Sequence, residues 1–378
     1  MMVENFGKRS YMHTDIRNNI IENVRKVFLR QIQDGLHNGA QLVVRRFGEI
    51  LIDESAGFTD ESEKTPITPE TSFLTFSLTK PYTSACIFKL IEEKEINLED
   101  PVGSYWPEFS CRGKEEVTIK QVLLHQSGLP KNRLVYQLLN SPNWKKIVDD
   151  LAQQKPVFPP GTKTSYQLLN FGYILGEIVR RVSGSPVDKF LRDQFLEPLG
   201  LTRTTMRVQD FKDEEFAPLS SGILDHQVVA WIFNSKRIRS SLIPAASLHS
   251  TAREMAIFYQ MLLNNGEYGG KRYLESETIS MATSLGFEGF DESLGRKARW
   301  GYGFFLGGDH ILHPESIDGM GRGSSIDTFG HYGQRNSMVW ADKRTGLVVV
   351  FLCNRFQSSD DNKIRLQQIS NAIWDGIA

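Results

Sequence analysis

Apolar positions change period several times along this chain, and each change marks an expected element. Ile16, Ile20, Val24, Val27 and Phe28 recur at three- and four-residue steps, which predicts an amphipathic helix from about Asp15 to Gly35. Ala40 to Phe47 and Ile50 to Ile52 flank Gly48-Glu49 and read as an antiparallel hairpin. Pro66 and Pro69 mark a loop, after which Ser77 to Lys94 reads as a helix with Pro81 near its start. Further helices are expected at Ile119–His125, Trp144–Gln153, Phe171–Val182, Val187–Phe195 and Arg253–Asn264. Ser337–Ala341 and Leu347–Cys353 read as strands joined by a Lys343-Arg-Thr-Gly346 turn, and Asn362–Asp375 as a closing helix.

Strands at both ends with helices between them predict one antiparallel sheet built from both termini, with a helical subdomain inserted. The 378 residues are enough for a substantial core. There are 44 basic and 45 acidic residues, a net charge of −1, so the basic excess of a nucleic-acid binder is missing. No run of about 18 apolar residues predicts a membrane span. The polar stretch from Met1 to Asp15 has no apolar core of a signal peptide. Cys86, Cys111 and Cys353 are sparse, unpaired by spacing and set beside apolar residues, which reads as buried free thiols. Together these features fit a reducing cytoplasm.

The candidate chemistry starts at Ser77 and Lys80. A serine hydroxyl needs a base to become a nucleophile, and a lysine three residues on shares its helical face. Burial would lower that lysine's pKa, and the helix N-terminus favours a developing oxyanion. The same spacing also fits a serine N-cap with lysine on the solvent face.

Four segments carry a resemblance in the same order. Thr71-Ser-Phe-Leu-Thr-Phe-Ser-Leu-Thr-Lys-Pro81 resembles the nucleophile segment of the penicillin-recognising serine hydrolases, the superfamily of class C β-lactamases, DD-peptidases and β-lactamase-like carboxylesterases. Val117 to Pro130, with Leu-Leu-His-Gln-Ser-Gly-Leu-Pro at its end, looks like the segment preceding the active-site cap. Phe158-Pro-Pro-Gly-Thr-Lys-Thr-Ser-Tyr166 looks like the approach to the catalytic tyrosine, and Phe329-Gly-His-Tyr-Gly333 sits where the third, strand-borne motif belongs.

The resemblance implies an α/β fold of α+β type, class C β-lactamase/DD-peptidase-like, with an antiparallel sheet flanked by N- and C-terminal helices. It implies a single catalytic domain over 1–378, its sheet part from 1–81 plus 241–378 and its helical part from 82–240. It assigns Ser77, Lys80 and Tyr166 as catalytic, with the phenol relaying the proton. It assigns His331, Gly333, Gln334 and Asn170 to substrate binding, with the Gln334 and Ser77 N–H groups as the oxyanion hole. No metal or organic cofactor is implied, and the partner is a small ester or amide.

Two departures matter. Many members read Tyr-x-Asn; here Tyr166-Gln-Leu168 precedes Asn170. Counting from Pro160-Gly161 puts Tyr166 in the tyrosine slot. Counting back from Gly172-Tyr173 puts Leu168 there and Asn170 in the asparagine slot. The first register is preferred, because the esterase branch commonly lacks that asparagine. The third motif, usually Lys-Thr-Gly, is His331-Tyr-Gly333, so a permanent cation gives way to an imidazole, neutral or charged near physiological pH. That weakens the case for a substrate carboxylate and favours a carboxylesterase on small or medium acyl esters. The alternatives are a β-lactamase, DD-peptidase or D-amino-acid peptidase, or a penicillin-binding protein with little turnover.

Gly-x-Ser-x-Gly does not occur, which leaves an α/β-hydrolase elbow unsupported. Gly319-x-Gly-x-Gly323 lacks the strand–helix unit of a dinucleotide loop and reads as a mobile glycine loop near the site. Lone histidines such as His125 and His313 read as structural.

Overall fold

The computed structural model describes residues 18, 20–60, 62, 65–130, 133–208, 215–308 and 319–377. The alternating stretch near the N-terminus forms its hairpin, β1 (Gly39–Arg46) and β2 (Glu49–Gly57). Phe47 and Gly48 both have positive φ, 49° and 85°, the two-residue turn whose twist matches flanking strands. The second strand runs on past Ile52 because Asp53 to Gly57 pair with Val43 to Gly39. As a sheet edge, it tolerates polar side chains there.

Leaving aside several two-residue strands, the others are β3 (Ser72–Leu74), β4 (Phe287–Asp291), β5 (Arg296–Trp300), β6 (Phe305–Leu306), β7 (Thr328–Tyr332), β8 (Ser337–Asp342) and β9 (Leu347–Cys353). Eight of them form one sheet in the order β2-β1-β9-β8-β7-β6-β5-β4, antiparallel throughout. The two ends of the chain meet where β1 pairs with β9. β3 stands apart, pairing with Phe216–Ala217 and His249–Ser250.

Every residue of β9 is buried, because both faces of the sheet are covered. On one face Val24 and Phe28, from a helix over 20–33, pack with Ile369, Ile373 and Trp374 of the C-terminal helix Ser359–Ile377. Trp340 stacks on Trp374 with ring centroids 4.9 Å apart. On the other face the helix Ala252–Leu263 sets Met255 and Tyr259 in the larger core with Val43, Val339 and Val350. Each fully buried side chain of this size contributes about 1.5–3 kcal/mol.

The region between β3 and Arg239 is mainly helical: Thr79–Glu92, Ile119–Leu123, Leu134–Asn140, Trp144–Ala152, Asn170–Ser183, Val187–Leu191 and Leu224–Asn234. The span expected as one helix from Val187 to Phe195 changes to a π turn at Arg192–Leu196. The Ile119 helix closes at Leu123, two residues short of His125, whose φ is +59°. All three cysteines are free, and Cys86 and Cys353 are buried. Cys111 is only half-buried, contrary to its apolar neighbourhood in sequence. Among the described residues no helix is long and apolar enough to cross a membrane.

Candidate active site

Ser77 sits on a turn rather than inside a helix. Thr75 donates both its N–H and its hydroxyl to Leu248 O at 2.9 Å, which fixes the chain leaving β3. Phe76 then adopts φ +48°, an uncommon conformation for a bulky residue. Phe233 and Phe356 hold it there, with ring centroids 4.9 and 5.4 Å away. Thr79 N–H donates to Phe76 O and Lys80 N–H to Ser77 O, so the helix begins at Thr79 and ends at Glu92. Ser77 therefore stands just before the N-terminus of that helix, where unpaired N–H groups favour negative charge.

Lys80 is fully buried, which rules out the solvent-facing arrangement. Its Nζ lies 3.2 Å from Ser77 Oγ, 2.9 Å from Leu168 O and 3.3 Å from Ala245 O. Burial holds its pKa well below the usual lysine value. A neutral amine has two N–H bonds, and the two carbonyls accept both. Its lone pair is then left facing the Ser77 hydroxyl, the geometry of a general base.

Tyr166 covers this pair. Lys80 Nζ is 4.7 Å from the centre of its ring, and Tyr166 lines the cleft together with Ser77. Burial raises the phenol's pKa, an effect the Ser77 contact opposes. Leu168 reaches Lys80 through its backbone carbonyl alone. Asn170 is not brought to the site: it is fully buried, donates to Leu129 O at 3.0 Å and accepts from Gln137 Nε2 at 2.8 Å. It fastens the start of the Asn170–Ser183 helix instead.

The third segment approaches from β7. A Cβ on Gly333 would come within 1.9 Å of Ser337 Oγ and 2.6 Å of Thr75 O, so only glycine lets the strand end lie against the nucleophile turn. Asn336 Nδ2 donates to Leu74 O at 3.0 Å and Ser337 Oγ to Thr75 O at 3.3 Å, tying the two segments together. Gln334 lines the cleft beside Ser77. His331 does not reach that cleft. It is buried behind Tyr166 and Phe305, with ring centroids 6.2 and 5.1 Å away. Burial pushes its pKa down to about 3, so the imidazole is neutral at physiological pH.

The beta-lactamase family model matches residues 24–372. The chain belongs to the beta-lactamase family. Esterase/beta-lactamase LipL of Mycobacterium tuberculosis is 26% identical over 352 residues, covering 85% of this chain and 78% of LipL. A family VIII carboxylesterase structure superposes with TM-score 0.82 at 28% identity, covering 94% of this chain and 97% of that one. A penicillin-binding protein homologue from Caulobacter crescentus gives 0.80 at 29%, with the same coverage. This beta-lactamase family member is a serine hydrolase.

Several residues that build the family site here carry no sequence signal of doing so. Asp291 accepts the Tyr166 N–H at 3.0 Å and the Trp300 indole N–H at 3.2 Å, and Trp300 stacks on Tyr166 at 5.5 Å. His125 accepts the Gln167 N–H at Nδ1, 3.2 Å, and its carbonyl accepts the Ser165 N–H. The segment ending in His-Gln-Ser-Gly thus serves to hold the Tyr166 loop. The glycine loop is packed rather than loose: a Cβ on Gly323 would strike the Trp374 ring at 2.4 Å, and Gly319 O accepts from Ser370 Oγ. His313 lies outside the described residues.

Proposed function

We propose that this serine hydrolase is a carboxylesterase working through an acyl-enzyme on Ser77. The observation that carries the reading is the buried Lys80 amine, 3.2 Å from Ser77 Oγ with two carbonyls to take its N–H bonds. Lys80 accepts the hydroxyl proton as Ser77 Oγ attacks the ester carbonyl. The N–H groups of Ser77 and Gln334 face the oxyanion as it forms. The proton passes through the Lys80–Tyr166 pair to the departing alkoxide, leaving the alcohol and an acylated serine. Water then attacks that ester as the pair takes its proton, and the pair passes the proton to Ser77 Oγ as the bond to the acyl group breaks and the carboxylic acid leaves.

An ester is preferred over a β-lactam or D-alanyl peptide because the third segment carries a buried, neutral His331 in place of the lysine usual in the family's third motif. Incubation with p-nitrophenyl butyrate, a cephalosporin and a D-alanyl-D-alanine peptide, for wild type and Ser77→Ala, tests the reading. Ester turnover is expected to dominate and to vanish in the variant. Ester turnover surviving in Ser77→Ala would sink the mechanism, and faster cephalosporin turnover would sink the substrate choice. A stable acyl adduct without turnover would instead identify a penicillin-binding protein.

A further inference from the structure

We propose that the helix Leu224–Asn234 docks on an anionic lipid surface, with Leu224, Val228 and Trp231 entering the lipid and neighbouring cations meeting its headgroups. This goes beyond the carboxylesterase reading and does not depend on it. The helix is apolar on two opposite sides. Ala230 and Phe233 are buried in the larger core, and Val229 packs against it. Leu224, Val228 and Trp231 recur at steps of four and three, so they form one stripe on the other side. Those three residues are 74%, 55% and 75% exposed. A helix apolar all round ordinarily lies in a core or in lipid.

The exposure of Trp231 stands out within the chain. Of its six tryptophans, Trp106, Trp300, Trp340 and Trp374 are buried and Trp144 is half-buried. An indole at a membrane surface keeps its N–H among the headgroups while its rings leave water. The apolar patch continues onto a second helix. Arg237 donates to Leu139 O at the end of the helix Leu134–Asn140, where Val135 and Leu139, one turn apart, are 71% and 59% exposed.

Charge selects the occupant. Asp225 is the one carboxylate in the helix Leu224–Asn234, and Lys236-Arg-Ile-Arg239 follows its end. Lys236 and Arg237 are exposed, and among the described residues no carboxylate pairs with either. Arg133 and Lys146 flank the second helix, 4.5 and 5.9 Å from the Tyr136 ring, and Arg133 pairs with Asp150. Apolar side chains bordered by cations are the pattern of a helix lying in a lipid interface. A two-fold dimer through this face would instead gather the cations of both copies around one contact, whereas anionic headgroups neutralise them. The inner side of the helix braces the nucleophile turn, since Phe233 packs on Phe76 at 4.9 Å and His226 meets Arg335 at the cleft wall. The docking stripe is therefore about one helix diameter, ~10 Å, from the turn that carries Ser77.

Flotation of the full chain with phosphatidylcholine vesicles, with and without about 30 mol% phosphatidylglycerol, tests this. The protein should float with the anionic vesicles and bind the neutral ones about tenfold or more weakly, each cation being worth about fivefold. Binding to the anionic vesicles should fall in about 0.5 M sodium chloride. Brominated phosphatidylcholine in those vesicles should quench tryptophan fluorescence as Trp231 enters the acyl region. Val228→Ser combined with Trp231→Ser should weaken flotation about tenfold or more, and Lys236→Glu about fivefold or more. Wild-type protein that does not bind the anionic vesicles overturns the proposal, and so does flotation without quenching. Binding that neither salt nor either variant weakens also overturns it. Sedimentation of the lipid-free protein addresses the rival occupant. A dimer that is lost in the Val228→Ser, Trp231→Ser variant would show that a second copy covers this face, and would overturn lipid docking. The salt, lipid-composition and quenching measurements on wild type need no variant to fold.

Discussion

The backbone N–H of Tyr166 donates to the carboxylate of Asp291 at 3.0 Å, although 125 positions separate them in sequence. The same carboxylate accepts from the Trp300 indole and from the backbone N–H groups of Ser293 and Leu294. Asp291→Ala leaves four donors short of a partner and frees the Tyr166 loop. The expected result is a fall in kcat of about 10- to 100-fold with a lower Tm, each lost charged hydrogen bond being worth about 1.5–3 kcal/mol. Steady-state kinetics and thermal melting check this, and an unchanged kcat would show that Tyr166 is held without Asp291.

Lys80 acts as a base only while neutral. Its pKa is lowered from the lysine value by burial, so the base is available at lower pH than a free lysine would be and is lost on the acid side as the amine takes up a proton. The log of kcat/KM is expected to fall with unit slope below that folded pKa and to stay flat above it. Lys80→Met keeps the length of the side chain and removes the base. Its kcat/KM should drop by about 10³-fold or more, the loss of a positioned general base together with its contact to the nucleophile.

Gly333→Ala puts a methyl group into Ser337 Oγ and Thr75 O. Thr75 O is backbone two residues from the nucleophile and cannot swing away. Overpacking of this kind costs about 1–3 kcal/mol and moves the turn carrying Ser77. Slower acylation, read as a smaller burst with p-nitrophenyl esters, should accompany a lower denaturation midpoint.

Restoring the family's cation through His331→Lys should fail. The side chain would be buried among Tyr166, Phe305 and Trp300 rather than in the cleft, where a charge lacks solvent and partner. Reduced stability with no gain in cephalosporin turnover is expected. A gain would show that the position reaches substrate.

Stability should fall in mild acid. His331 is held down to about 3 and His249 to about 4, against 6.5 in the unfolded chain, while burial also lowers His125 and His37. Between those folded values and 6.5 the unfolded chain binds more protons. Stability therefore rises with pH through that window and is level above it, as far as these groups are concerned. Each histidine contributes a slope of about 1.4 kcal/mol per pH unit. Urea denaturation at intervals from pH 7.5 to about pH 4 measures the slope, and a flat profile would contradict the burial of these rings.

Much of the sheet's centre is legible in the chain, since Leu347 to Cys353 is apolar throughout and Ala40 to Val44 nearly so. β4 and β5 are not, because Glu288, Asp291, Arg296, Lys297 and Arg299 interrupt any alternation. They are strands because β6 offers β5 an edge to pair with and β5 offers one to β4. Within the site, Ser77 and Lys80 are adjacent through a local turn, so their spacing already implies contact. Asn170 shares its segment with Tyr166 but turns into the helix core, which no count from Pro160-Gly161 could decide.

The pattern of the sequence determined what depends on near neighbours: the strands and helices with clear periods, and a serine and lysine sharing one turn. Tertiary structure decided what depends on surroundings. Asp291 holds Tyr166, and His331 is neutral behind it. The physical reason is that solvation and charge belong to a place rather than to a residue. The same imidazole titrates near 6.5 in water and near 3 in this core, and only the packing of remote segments says which it meets.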